Sequence, residues 1–288
     1  MFLAIRHTSA YSYEQPVTLE PHMIRLTPRS DSYRQLIERV LMIIPEPDGI
    51  SANLDYNGSL SHLVWFKRPT SSLTVVSRVV LKLNEVNPFD YIVHPVSCAE
   101  LPMRYPAVMI NQLKPYMLSH QANEKIKAFA SSIMQESKNN VLQFSSLLCR
   151  KIKESCAYEI RDTGEPYPAE KVLFNHRGSC RDLAVLYVAA ARAAGLAARF
   201  VSGYYFDQSP KHPQLHAWAE VYIPGGGWRG YDPTLGLACY GHHITLAAGA
   251  FASETSAIEG SFLGKPGSQM EVNIEYEYLK QLSRPVEF

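Results

Sequence analysis

The 288-residue chain has no apolar run of about 18 residues that could cross a bilayer as a helix. Its opening, MFLAIRHTSAYSYEQP, lacks the apolar core and the small-residue cleavage site of a signal peptide. An excess of one charge is missing too. The 28 Lys and Arg against 27 Asp and Glu leave a formal net charge of +1, which gives no electrostatic ground for nucleic acid or an anionic membrane as a partner. Cysteine is scarce. The five (Cys98, Cys149, Cys156, Cys180, Cys239) are odd in number, scattered and never in the CxxC pairs of a zinc site. They read as free thiols in a reducing compartment, and the cytoplasm is the expected location.

What is present fits a chain that buries a sizeable core: 46% hydrophobic and 19% charged residues. At roughly 100–200 residues per domain, two domains are expected. Residues 1–86 read as β structure. Phe2, Ala4 and Arg6 alternate with Leu3, Ile5 and His7, and short apolar runs recur at 40–44, 63–66 and 73–83. Asn57-Gly58 is the strongest local hairpin signal. Together these predict a small antiparallel sandwich or barrel that packs against, or frames, a site built elsewhere. Prolines at 88, 95, 102, 106 and 115 argue for a connecting segment over 87–117. The expected division is a β domain at 1–90, a connector at 91–117 and a core at 118–288.

Beyond the connector, helical spacing covers 123–137 and 141–156, separated by Asn139-Asn140. His120, Cys149 and Cys156 fall in or near these helices without partners at ligand spacing, so packing or exposure accounts for them. A loop carrying Gly164, Pro166 and Pro168 is expected over 158–175. It leads to Ser179-Cys180-Arg181-Asp182, where Ser179 can cap a helix and Asp182, three residues on, completes a capping-box-like pair. Cys180 then lies in the first turn. Unpaired N–H groups and the positive end of the helix dipole lie there, and both favour thiolate over thiol, with Asp182 opposing them by its charge. Leu183, Leu186, Tyr187, Ala190, Ala191 and Ala194 mark a largely buried helix, ended by Gly195.

Three strand-like runs follow, and Pro224-Gly225-Gly226-Gly227 makes the last two a hairpin. His216 and Asp232 stand at its open end as approximate cross-strand neighbours. An aspartate there orients the imidazole and stabilises its protonated form, while the other ring nitrogen faces the thiol. Trp218 shares a strand face with His216 and is expected to wall the site from water. Tyr204, Tyr205 and Tyr231 are further candidates for a cleft lining, though tyrosines here more often pack. Taken singly, a buried cysteine is usually an inert hydrophobe and a strand histidine a satisfied core residue. The conjunction of helix-start cysteine, His–Asp hairpin and flanking glycines is what points to nucleophilic chemistry.

Metal binding is not expected. His212 and His216 have i, i+4 spacing, but Pro210 and Pro213 make that stretch a loop rather than a helix. The pair His242-His243 has only Cys239 near it in sequence. No cofactor is implied either. The tail at 269–278 alternates Met270, Val272, Ile274, Tyr276 and Tyr278 with polar residues and reads as a half-buried strand.

At RGSCRDLAVLYVAAARAAGLAARFVSGY and HAWAEVYIPGGGWRGYDPTLG, and at the downstream His243, the chain resembles the bacterial transglutaminase-like proteins, some of which are described as cysteine proteases. HTSAYSYEQPVTLEPHMIRLTPR is similar to the β domain that precedes their core. Serine at 179, where relatives often carry valine, and leucine at 235, where asparagine is common, depart from the pattern without touching the triad. The resemblance implies an α+β fold with a papain-like core, Cys180 as nucleophile, His216 as base and then acid, and Asp232 as orienting carboxylate. The implied reaction is acyl transfer through a thioester on a peptide or protein amide, with hydrolysis the expected outcome. Amine-accepting cross-linking is the alternative, and a non-catalytic binding scaffold is the reading from a different class.

Overall fold

The computed structural model describes residues 1–119, 122–161, 164–206 and 215–281; His120, Pro210, His212 and Pro213 lie outside the described residues. Six strands open the chain: β1 (Phe2–Leu19), β2 (His22–Ile24), β3 (Arg34–Ile44), β4 (Gly49–Leu54), β5 (Leu60–Trp65) and β6 (Thr70–Leu83). Their two-residue period decides which faces are buried. Leu3, Ile5, Leu73, Val75, Val79 and Leu81 are at most 3% exposed and point into one core. The Asn57-Gly58 signal produces its hairpin, with β4 antiparallel to β5 and Gly58 at φ +79.

Regular structure also forms where proline argued against it. Helix α1 (Ala107–Met117) begins directly after Pro106 within the expected connector, because proline at a helix start sacrifices only an N–H that has no intrahelical partner. The same holds for α4 (Ala169–Asn175) after Pro168, inside the expected loop. Helices α2 (Glu124–Glu136) and α3 (Val141–Ser155) lie where their periodicity placed them, each capped by an asparagine side chain, Asn123 and Asn140. Between α3 and α4 comes β7 (Ala157–Tyr158), and β8 (Arg177–Gly178) pairs with it in parallel just before α5 (Cys180–Ala193). Among the described residues no helix is long and apolar enough to cross a membrane.

Helix α5 packs on a sheet ordered β12 (Leu237–Ala238), β11 (Gly227–Asp232), β10 (Leu215–Ile223), β9 (Ala198–Tyr205), β13 (His243–Gly249). Small residues on the facing side, Ala217 and Ala219, let the helix lie close, and α2, α3 and α4 complete that core. Leu183 and Leu186, at 1% and 0% exposed, each contribute about 1.5–3 kcal/mol by burial. The first turn of α5 is therefore held by its own buried shaft.

The expected division of the chain changes at its end. Strands β14 (Ile258–Glu259), β15 (Phe262–Leu263) and β16 (Ser268–Leu279) return to the N-terminal sheets: β14 pairs with β2, and β15 and β16 both pair with β1. Residues assigned to a core at 118–288 thus complete the first module. The tail does form a strand, although Met270 and Val272 stay 52% and 43% exposed. Tyr204, Phe206, Ile244 and Leu246 bury themselves in the N-terminal core, so the core sheet presents one face to α5 and the other to the β module.

Candidate active site

The site begins with the backbone of Ser179, extended at φ −78 and ψ 173, from which α5 starts at Cys180. Asp182 turns back on that start. Its Oδ2 accepts from the Ser179 N–H and hydroxyl, each at 2.8 Å, and its Oδ1 accepts from the Tyr167 N–H at 2.6 Å. One Arg161 nitrogen donates to both oxygens at 2.8 Å. Gly178 makes this approach possible, since a Cβ there would meet the Asp182 Cβ at 2.7 Å. Burial alone would raise the Asp182 pKa, but hydrogen bonds from Arg161, Tyr167 and Ser179 outweigh it and hold the carboxyl below its usual range. The charge that opposed a thiolate in the sequence reading is thus balanced by Arg161, which the sequence reading missed. Cys180 is 8% exposed at the end of this clamp.

The hairpin supplies the partners. Its register runs from Ile223↔Gly227 to Ala219↔Tyr231, so Asp232 comes after the last pair, diagonal to His216 rather than directly opposite. Both project from the open end, and the diagonal is short enough to close: His216 Nε2 lies 2.7 Å from Asp232 Oδ2. That leaves Nδ1 available to the Cys180 thiol, which lies near enough to act on the ring's charge. Burial would strip the proton from His216, yet the charge and hydrogen bond of Asp232, followed by those of Cys180, raise its pKa to about 10. At neutral pH the ring is a cation beside the sulfur.

Asp232 is 0% exposed and fully engaged. Oδ1 accepts from the Thr234 N–H at 2.8 Å and the Leu235 N–H at 3.4 Å, an Asx turn that accounts for the Asp-Pro-Thr stretch. Oδ2 accepts a second imidazole, His243 Nε2, at 3.1 Å. Burial would raise this carboxyl; His216 first and then His243 hold it well below the usual carboxylate range.

The structure thus brings Cys180, His216 and Asp232 together. Trp218 is 1% exposed, tilted against His216 with centroids 6.2 Å apart and edge-on to His243 at 5.3 Å. Tyr205 joins them, 5.7 Å from His216 and 4.8 Å from His243. Tyr204 does not: its hydroxyl is 2.8 Å from Nδ1 of the buried His7 on β1. Nor does Tyr231, which stacks on Tyr187 under α5. His243, matched in the sequence only through the resemblance, proves to be a direct partner of the Asp232 carboxylate. The signal for its strand was faint, because buried on both faces, ITLAAG shows no alternation. His216, Asp232 and His243 also form a trio whose ligand-type atoms lie within 4.8 Å of one another. The two Nε2 atoms converge on one carboxylate oxygen at hydrogen-bond distance, which is the geometry of two donors on one acceptor.

Comparison with known proteins agrees with this architecture. Residues 127–233 match the model of the transglutaminase-like superfamily, and residues 3–82 match the bacterial transglutaminase-like N-terminal region. An uncharacterised protein of Mycobacterium leprae is 24% identical over 279 residues, covering 95% of this chain and 97% of that protein. One from Mycobacterium tuberculosis is 24% identical over 286 residues, covering 94% and 91%. Among solved structures, a candidate cysteine protease from Cytophaga hutchinsonii superposes with a TM-score of 0.74 at 19% identity, over 100% of this chain and 94% of that one. At that identity the likeness establishes the shared fold.

Proposed function

The chain belongs to the transglutaminase-like superfamily, with a bacterial-type N-terminal region before its core, and on that footing we propose that it is a cysteine-nucleophile enzyme that hydrolyses a peptide or amide bond through a Cys180–His216–Asp232 triad. The observation that carries this reading is the position of His216, held by Asp232 at 2.7 Å through Nε2 and close enough to Cys180 for the thiol to act on its charge. Cys180 as thiolate attacks the amide carbonyl carbon, forming a C–S bond and an oxyanion. The Cys180 backbone N–H at the helix start, with a second donor from residues 174–177 or a side chain near them, holds that oxyanion. As the C–N bond breaks, the imidazolium of His216 gives its Nδ1 proton to the departing amine. The neutral ring then takes a proton from water attacking the thioester, the acid leaves, and the thiolate–imidazolium pair is restored. Asp232 stays ionised throughout and stabilises the cation. The free thiols fit a reducing compartment, and we place the activity in the cytoplasm.

Purified protein incubated with glutamine peptides and a labelled primary amine tests the acceptor. Hydrolysis without incorporation is expected; robust incorporation without hydrolysis would reassign the enzyme to cross-linking. Comparing wild type with Cys180→Ala across a peptide and amide library identifies the substrate. An alkylating probe tests the scaffold alternative: Cys180 is expected to react faster near neutral pH than Cys98, Cys149, Cys156 and Cys239.

A further inference from the structure

Asp232 Oδ2 accepts from two imidazoles, but the Cys180 thiol acts on the charge of His216 and not on that of His243. We propose that His243 is a positioning residue of the triad: a neutral imidazole that donates its Nε2 proton to Asp232 and fixes the shared oxygen where His216 can use it. The inference rests on the triad reading above and adds to it a fourth member that acts only through the carboxylate.

The tautomer follows from the neighbours. His243 Nδ1 lies 3.3 Å from the Tyr240 backbone N–H, and a backbone N–H can only donate. Nδ1 therefore accepts and carries no proton, which leaves the proton on Nε2, 3.1 Å from Asp232. The ring is 1% exposed. Burial, with His216 and Arg34 as nearby positive charges, outweighs the pull of Asp232 and lowers its pKa, so it stays neutral while His216 is charged. Two histidines on one oxygen thus hold different protonation states.

The N-terminal module holds His243 from behind. Arg34, at the start of β3, donates through its guanidinium to the His243 carbonyl, and Asp31 orients that guanidinium by accepting from its Nε at 3.1 Å. Two residues downstream of His243 the tie continues on the same strand, where the Arg29 N–H donates to the Thr245 carbonyl at 3.1 Å. With Thr234 and Leu235 on Oδ1, His243 completes a shell in which neither carboxylate oxygen can swing away from His216. This gives the β module a part in catalysis that needs no contact with substrate. The titratable and charged groups around the two rings are Cys180 from α5, Tyr205 from β9, Asp232 from β11, Tyr240 before β13 and Arg34 from β3.

The test is the rate of Cys180 alkylation by iodoacetamide against pH, in the full-length wild type, H243Q and H243L, which needs no knowledge of the substrate. Leucine removes the donor, whereas glutamine keeps an N–H near the same place. H243L is expected to lose about tenfold in rate near neutral pH and to have its alkaline limb moved about one unit lower, as the imidazolium loses a well-placed carboxylate. H243Q is expected to stay within about threefold of wild type, about the worth of a partly kept hydrogen bond. A wild-type profile in H243L, or equal damage in both variants with no movement of the limb, overturns the proposal. If H243L does not fold, nitrogen-15 NMR of the histidines in wild type, assigned with H243Q, decides: the neutral Nε2–H form for His243 supports it, and the Nδ1–H form or a cation overturns it. A wild-type Cys180 no faster than the other four cysteines is a separate result, which removes the triad reading and this inference with it.

Discussion

Two aspartates, Asp182 on α5 and Asp232 on β11, are both 0% exposed and both held below the usual carboxylate range. Their partners differ. Asp182 faces Arg161, whose charge is permanent, and two backbone N–H groups, from Tyr167 and Ser179. Asp232 faces two imidazoles, groups that can take up or release a proton, and two N–H groups of its own turn. The first arrangement can only hold shape. The second can change state as protons move, so equal burial of the same residue type gives a fixed clamp at one place and, on the proposed mechanism, a working part at the other.

The sharpest way to break that contrast is to neutralise each carboxylate. Asp232→Asn keeps the size and an acceptor oxygen but removes the charge that stabilises the His216 cation, and turnover is expected to fall about 10³–10⁴-fold with little change in circular dichroism. Asp182→Ala should act on stability instead. It strands the Arg161 guanidinium and the Tyr167 and Ser179 donors, costing about 3 kcal/mol in urea unfolding, near the low end for breaking a buried pair because the Arg161 side chain keeps 14% exposure. Activity per folded molecule should drop far less than in Asp232→Asn. A stable Asp182→Ala protein with lost turnover would erase the distinction. A smaller effect, about 1 kcal/mol, is expected for Arg161→Lys, which keeps the charge but not the shape of the contact that spans both carboxylate oxygens.

The contrast also explains what could be read from the sequence. Local patterns carried Cys180 to a helix start and His216 and Asp232 to one hairpin end, because capping residues, glycine turns and strand alternation act over a few positions. The clamp on Asp182 was not legible, since Arg161 and Tyr167 come from a segment that reads only as a loop and are brought in by the pairing of β7 with β8. His243 was legible only through the family resemblance. Its strand lies buried between β9 and the N-terminal core, where both faces are apolar and periodicity vanishes. The return of β14, β15 and β16 to the first module was hidden for a related reason. The tail's alternation announced a strand, but a strand's period does not say which sheet will take it.

The smallest effect expected is a dependence of stability on pH, and its sign separates the two ends of the His216–Asp232 bond. His216 has its folded pKa raised to about 10, above about 6.5 in the unfolded chain, so its stabilisation is complete below the unfolded value and is lost as pH rises through about 10. Asp232 is depressed, so its contribution is present above about 3.9 and fades only as pH falls toward the folded value. Thermal melting of wild type and His216→Gln across pH 6 to 11 should therefore give a gap that is widest near the lower end and closes as pH passes about 10. Asp182, paired with an arginine that does not titrate there, should add nothing to the alkaline closure. A gap that widened instead with rising pH would mean that His216 is neutral in the folded protein, and Asp232 would then be only a second clamp.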